Sequence, residues 1–169
     1  MSENIVRVGV ISDTHIVDRR RVIPGAVWDA FAGVDCIVHA GDIARRAVLD
    51  ELAMLAPVYA VYGNMDPFDL ANTLPERRVV DLGGVYLGLT HGHLGQGRTL
   101  PERARNAFRD VEGLRVVVFG HSHEPYSSVD RGVLLFNPGS PTERRRQPRH
   151  SFGLLTVAHG EAHGEIVYL

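Results

Sequence analysis

Short apolar runs rich in β-branched residues alternate along this chain with stretches whose apolar positions recur at helical spacing. Residues 5–11 (IVRVGVI) read as a buried strand. Pro24 stands where a helix can start, and 25–32 continues it as far as Gly33. Residues 35–39 read as a second strand, and 44–55 as a helix with Ala47, Val48, Leu52 and Leu55 on one face. A third strand follows at 57–62. This βαβαβ order predicts parallel pairing with helices on the faces. The second half predicts strands at 77–82, 84–90, 115–119, 126–130, 133–136, 152–157 and 164–168, with one helix at about 99–110. Gly83-Gly84 and Asp130-Arg131-Gly132 have the composition of hairpin turns, so antiparallel pairing is expected there. About ten strands fit two sheets packed face to face and flanked by helices better than one open sheet.

Length and composition narrow the class. A chain of 169 residues fits one domain, spanning 1–169, and 44% hydrophobic with 22% charged residues is ordinary globular composition. A formal net charge of -2 gives no electrostatic case for a nucleic-acid polymer or an anionic membrane as partner. All 18 basic residues are arginine, from which no function follows. The single Cys36 excludes an internal disulfide framework and a cysteine-rich zinc site. No apolar run approaches the roughly 20 residues of a membrane span. The first residues lack the basic and apolar regions of a signal peptide, so a cytoplasmic location is expected.

The candidate chemistry sits just after the strands. Asp13 and His15 follow the first, Gly41-Asp42 the second and Gly63-Asn64 the third. His91-Gly92-His93 follows 84–90, Gly120-His121-Ser122-His123 follows 115–119, and Asn137-Pro138-Gly139-Ser140 follows 133–136. In α/β sheets ligands bind at the carboxyl ends of strands, and glycines let backbone pass close to a compact site. Carboxylate, amide and imidazole donors without sulfur suit manganese, iron, zinc, cobalt or nickel rather than calcium. The seven side chains Asp13, His15, Asp42, Asn64, His91, His121 and His123 are too many for one catalytic metal, which takes about three protein ligands. With one bridging carboxylate they give four contacts to each of two metals, a set built for in-line displacement at phosphorus.

The series DTH, GD, GN, HGH and GHSH, in this order, resembles the calcineurin-like metallophosphoesterase superfamily. The short chain and the NPGS segment resemble its small bacterial phosphodiesterase branch, to which the retromer subunit of the same fold is related. That resemblance implies an αββα sandwich of two mixed sheets, and two divalent metal ions, manganese first among the candidates. It places Asp13, His15, Asp42 and His123 on one ion and Asp42, Asn64, His91 and His121 on the other, with Asp42 bridging. It also implies hydrolysis of a small phosphoester, a phosphodiester before a monoester, by a metal-bridging hydroxide. Asp42, Asn64 and His93 are the catalytic candidates. Met65 departs from the family pattern: many relatives carry His there, and a thioether cannot protonate a leaving group. The alternative function is a non-catalytic protein-interaction scaffold of this fold, which would need no full metal set. A homo-oligomer is compatible with either.

Several residues carry a second reading. Asp13 and Asp42 are also typical helix caps or turn residues, and Asn64 also suits a left-handed turn. His93 is open among catalysis, support of a ligand and plain packing; His39 reads as core or as support for the GD turn. Residues 137–140 form either a backbone nest near phosphate or a turn. Arg144-Arg145-Arg146 with Arg149 form either a phosphate clamp or a solvated loop.

Overall fold

The computed structural model describes residues 4–169. Ten strands form two five-stranded sheets. The first sheet is built on β1 (Val6–Ile11), β2 (Cys36–His39) and β3 (Val58–Ala60), which are mutually parallel. β9 (Ser151–Ala158) pairs antiparallel with β1, and β10 (Glu161–Tyr168) with β9, giving the order β10-β9-β1-β2-β3. The second sheet repeats the plan. β5 (Tyr86–Thr90), β6 (Leu114–Val118) and β8 (Val133–Asn137) are parallel, flanked by antiparallel β4 (Arg77–Asp81) and β7 (Tyr126–Asp130), in the order β4-β5-β6-β8-β7. Both expected hairpins, β4-β5 and β7-β8, form.

Three apolar clusters mark the three interfaces of an αββα sandwich. Between the sheets, Val8, Val10 and Val38 meet Leu87, Leu89, Val116 and Val118, all buried. On the outer face of the first sheet, α1 (Gly25–Phe31) sets Val27 and Phe31, and α2 (Arg46–Leu52) sets Val48, Leu49 and Leu52, against Ile11 and Ile37. On the outer face of the second, α4 (Leu100–Asn106) and the turn after it set Ala104 and Phe108 against Val117 and Leu135. Each such Val, Leu, Ile or Phe side chain contributes about 1.5–3 kcal/mol by leaving water. The α4 terminus is specified locally: the Thr99 hydroxyl accepts from the Glu102 amide (3.3 Å), and the Glu102 carboxylate returns to the Arg98 amide (2.9 Å). No helix among the described residues is long and apolar enough to cross a membrane.

The elements differ from expectation mainly at their ends. The helix expected over 44–55 occupies Arg46–Leu52, because Ala44 is held at φ 77° and cannot be helical. The helix expected at 99–110 stops at Asn106, where Ala107 begins a series of turns. The strand expected at 57–62 ends at Ala60, and that expected at 164–168 starts at Glu161, extended by the tight β9-β10 turn. One helix was not expected: α3 (Phe68–Thr73) has a single buried residue, Leu70, and so presents no apolar period to read.

Candidate metal centre

The six parallel strands β1, β2, β3, β5, β6 and β8 all point their carboxyl ends at one region, and the loops that leave them carry every candidate residue. Asp13, Asp42, His91 and His123 are buried there, His15 is largely so, and Asn64 lies at the solvent edge. Asp13, His15, Asp42, His121 and His123 all have left-handed backbone, with φ between 43° and 74°. L-residues adopt that region only where their surroundings over-determine it. Asp13 and Asp42 are therefore not helix caps; α1 and α2 are preceded by Pro24 and Arg45. Asn64 is not among the left-handed residues, and its amide oxygen points into the cluster.

The donor atoms converge. Asp13 Oδ1 lies 3.4 Å from His123 Nε2, 3.9 Å from His15 Nε2 and 4.0 Å from His91 Nε2. Asp42 Oδ2 lies 3.5 Å from His15 Nε2 and 3.3 Å from His91 Nε2. Asn64 Oδ1 is 3.0 Å from His91 Nε2 and 3.1 Å from His121 Nδ1. The opposite atoms of these groups are already engaged. His91 Nδ1 donates to the Ala40 carbonyl (2.7 Å) and His123 Nδ1 to the Glu143 carbonyl, so each ring turns Nε2 inward. Asp13 Oδ2 accepts from Ser12 Oγ (2.7 Å) and the His121 amide (3.0 Å), and Asp42 Oδ1 from the Met65 amide (2.9 Å). Asp13 Oδ1 remains buried with no hydrogen-bond partner.

This arrangement fits a cation. Without one, the crowding of acceptors is relieved by protons: burial pushes the Asp13 carboxyl up to about 7. Burial disfavours the His91 imidazolium, yet the Asp42 hydrogen bond and the Asp13 charge overcome this and raise it. Asp42 is likewise penalised by burial, but the His91 hydrogen bond and charge bring it down to about 2. Burial lowers His15, His121 and His123, the last to about 4, which keeps their rings neutral and able to ligate. Two groups of donors can each hold an ion: Asp13, His15 and His123, and Asp13, Asp42 and His91. The backbone passes close behind both carboxylates. A Cβ at Gly63 would overlap Asp42 Oδ1, and one at Gly120 would lie 2.6 Å from Asp13 Oδ2.

His93 stands beside this cluster. Its ring is 5.3 Å from that of His91 and 5.8 Å from that of Tyr62, its Nδ1 is buried without a partner, and burial lowers its pKa to about 4. His39 supports the GD turn. Its Nδ1 accepts from the Gly41 amide (3.2 Å), so Nε2 carries the proton and donates to Thr14 Oγ1 (3.1 Å). In residues 137–140, Asn137 Oδ1 takes the Gly139 amide, and Ser140 Oγ donates to the Asp13 carbonyl while accepting from the Glu143 amide. Among the arginines, Arg144 bonds the Gln147 carbonyl and Arg149 the carbonyls of Tyr168 and Leu169, so both are spent on the fold.

Asp66 and Glu143 were not foreseen from sequence. The Asp66 carboxylate accepts from four backbone amides, and Glu143 supplies the carbonyl for His123 and a carboxylate 3.6 Å from His15 Nδ1. An acidic residue two positions past Gly63-Asn64 was a visible signal for Asp66; Glu143 had none, because its contribution to His123 is main-chain.

A two-sheet sandwich with this donor set at one end defines the class of metal-dependent phosphoesterases. The chain belongs to the calcineurin-like phosphoesterase superfamily, whose domain model matches residues 6–160. It is 40% identical over 138 residues to a protein of Methanocaldococcus jannaschii named as a probable metallophosphoesterase, covering 82% of this chain and 69% of that one. It is 28% identical over 148 residues to a phosphodiesterase of the same organism, covering 79% and 83%. Among solved structures, wild-type Vps29 of Entamoeba histolytica complexed with zinc superposes with a TM-score of 0.75 at 25% identity, covering 96% of this chain and 99% of that one.

Proposed function

We propose that this protein hydrolyses phosphodiesters with two divalent cations. Asp13, His15, Asp42 and His123 would hold one, and Asp42, Asn64, His91 and His121 the other. The observation that carries the reading is Asp13 Oδ1, a buried carboxylate oxygen without a donor, faced by three imidazole nitrogens. Such divalent cations, when bound, bring the pKa of water down to about 7 and draw charge from the phosphoryl oxygens.

The chain's own residues prepare for that chemistry. Asp42 presents Oδ2 to His15 and His91 while Met65 N–H holds Oδ1, so this carboxylate would be free to serve both ions. Burial keeps most of the imidazoles neutral, so protons compete weakly for their lone pairs. The cluster opens to solvent beside Asn64, Met65 and His121, which is where a small phosphoester would enter. A relative named as a phosphodiesterase supports diesters over monoesters. A protein-interaction scaffold needs no full set of seven converging donors, which favours the enzyme. Manganese is the first candidate cation. Zinc, with which the amoebal Vps29 is complexed, is the second.

The deciding experiment assays metal-stripped protein, with and without added Mn²⁺ or Zn²⁺, on matched phosphomonoesters and phosphodiesters. Metal-dependent cleavage of diesters is expected. Turnover confined to monoesters, or indifferent to chelator, rejects the proposal.

A further inference from the structure

Asp66 ligates nothing in the set above, yet it holds more of the site's backbone than any other side chain there. Its Oδ1 accepts from the amides of Ile43 (2.7 Å) and Ala44 (2.8 Å), and its Oδ2 from those of Gly63 (2.8 Å) and Asp42 (3.0 Å). These amides belong to the two loops that leave β2 and β3, one carrying Asp42 and the other Asn64. Consecutive amides converging on one point form a concavity for an anion. Here the anion is part of the chain.

The clasp is reciprocal. Asp66 holds the main chain of Asp42, and the amide of Met65, its neighbour, holds the Asp42 side chain at Oδ1. With Oδ1 engaged, Oδ2 is left facing His15 and His91. The left-handed backbone at Asp42 (φ 55°) and Ala44 (φ 77°) lies inside the same ring of hydrogen bonds. Neither is glycine, so both need external restraint to stay there, and the Asp66 carboxylate is the group that meets their amides.

We propose that Asp66 is the positioning residue of the cation site that Asp42 and Asn64 share: it locks the two loops together and aims both oxygen donors before any ion arrives. This rests on the reading of Asp42 and Asn64 as ligands. Groups that orient ligands without touching the metal commonly set affinity by about 10–100-fold.

The test is calorimetric titration of metal-stripped protein with Mn²⁺ alone, comparing wild type with Asp66→Asn, Asn64→Ala and His123→Ala, with thermal unfolding of each metal-free protein in parallel. Wild type should take two equivalents. Asp66→Asn, which keeps the shape but removes the charge and one acceptor, should weaken one equivalent by about 10–100-fold. Because Asp42 would serve both ions, a smaller loss should reach the other equivalent too, but the larger one should fall on the equivalent lost in Asn64→Ala. Equal losses on both, or a larger loss on the equivalent lost in His123→Ala, overturn the proposal. Two unimpaired equivalents in Asp66→Asn, whatever its melting temperature, overturn the proposal, since a loop staple with only a structural role would move stability alone. If Asp66→Asn does not fold, Asp66→Glu carries the test: it keeps the charge and displaces it by one methylene. A weakened equivalent shared with Asn64→Ala supports the proposal, and two unimpaired ones overturn it. Wild type that binds no Mn²⁺ and no Zn²⁺ removes the proposed function, and this inference with it, before any variant is compared.

Discussion

The two sheets contribute to the site in different chemical currencies. The loops after β1, β2 and β3 bring all three oxygen donors, Asp13, Asp42 and Asn64, with His15 as their one imidazole. The loops after β5 and β6 bring imidazoles only: His91, His93, His121 and His123. Their supports have opposite polarity as well. The carboxylates are fixed by donors, as Ser12 and the His121 amide fix Asp13 and the Met65 amide fixes Asp42. Of the imidazoles, His91 and His123 are fixed by acceptors, the carbonyls of Ala40 and Glu143. A donor on one carboxylate oxygen fixes which way the other points, whereas an imidazole must keep its proton on one nitrogen, held by an acceptor, to offer the lone pair of the other. The halves are also cross-wired, since His91 leans on Ala40 beyond β2 and Asp13 on His121 beyond β6. Neither sheet builds the centre by itself.

The largest effect should come from removing Asp42, the acid proposed to serve both cations. Asp42→Asn should lower turnover by about 10²–10³-fold or more, the range for loss of a principal electrostatic group, and weaken both cations, with far-UV circular dichroism unchanged. His123→Ala, on the imidazole side, should weaken one cation only. Metal analysis beside a diester assay distinguishes the two. Full activity in Asp42→Asn would refute the bridging assignment and with it the division of labour between the sheets.

A pair of glycines separates site from scaffold. A Cβ at Gly63 would push the Asp42 carboxylate aside, whereas one at Gly88, in β5, would stand 2.9 Å from the Phe108 ring on the outer face of the second sheet. Gly63→Ala should cost about 10–100-fold in metal affinity. Gly88→Ala should leave metal binding alone and cost about 1–3 kcal/mol of stability by overpacking. Metal titration and chemical unfolding of both variants are the check, and equal losses of affinity would show that the site depends on the whole second sheet.

Acid should act on the two chemistries with opposite sign in the metal-free protein. Burial holds His39 neutral, with its pKa lowered from 6.5 to about 3, so the unfolded chain takes up that proton first. Between those values stability falls as pH falls, by about 1.4 kcal/mol per pH unit for this group. Asp13 is raised from 3.8 to about 7, so the folded chain holds the extra proton and stability falls as pH rises through that window. His39→Gln removes only the first contribution, so between pH 6 and 4 the slope of stability against pH should drop by about 1.4 kcal/mol per unit relative to wild type, measured by denaturant unfolding. Unchanged steepness would mean that His39 is not the titrating group.

Much of this was legible in the sequence, for reasons that differ by region. The six parallel strands stood out because each is a short apolar run followed by a polar donor, usually beside a glycine, as in IVRVGVI before Ser12-Asp13 and RVVVF before Gly120-His121. The candidate donors were legible as a series, since Asp, Asn and His recurring just past strand ends have few other uses together. The element ends were not: Ala44 is a good helix former, and only a carboxylate 22 residues later keeps it out of α2. The return of β9 to pair with β1 was equally silent, because its register depends on a partner about 145 residues away. Main-chain contributions such as the Glu143 carbonyl leave no trace in side-chain identity at all.

The smallest effect is expected at Met65, on the seam between the two halves. Its amide holds Asp42 Oδ1, but its side chain is 63% exposed at the open edge of the site. A thioether has no proton to give, so a poor leaving group must take its proton from water or from His93, whose buried Nδ1 has no partner. Esters with good leaving groups, such as nitrophenyl phosphodiesters, should therefore be cleaved much faster than unactivated alkyl diesters. A well-placed general acid is worth about 10²–10⁴-fold, but an exposed imidazole at position 65 would be only loosely held. Met65→His should narrow the gap between the two esters by about ten-fold, at the low end of that range, while the amide contact to Asp42 survives. The readout is kcat/KM for one activated and one unactivated diester in wild type, Met65→His and His93→Ala. Loss of the unactivated ester alone in His93→Ala would identify His93 as the acid and make the imidazole half the source of the proton as well as of the nitrogen ligands. An unchanged ratio in both variants would mean that leaving-group protonation does not limit this enzyme, and the substitution at Met65 would then bear on access to the site instead.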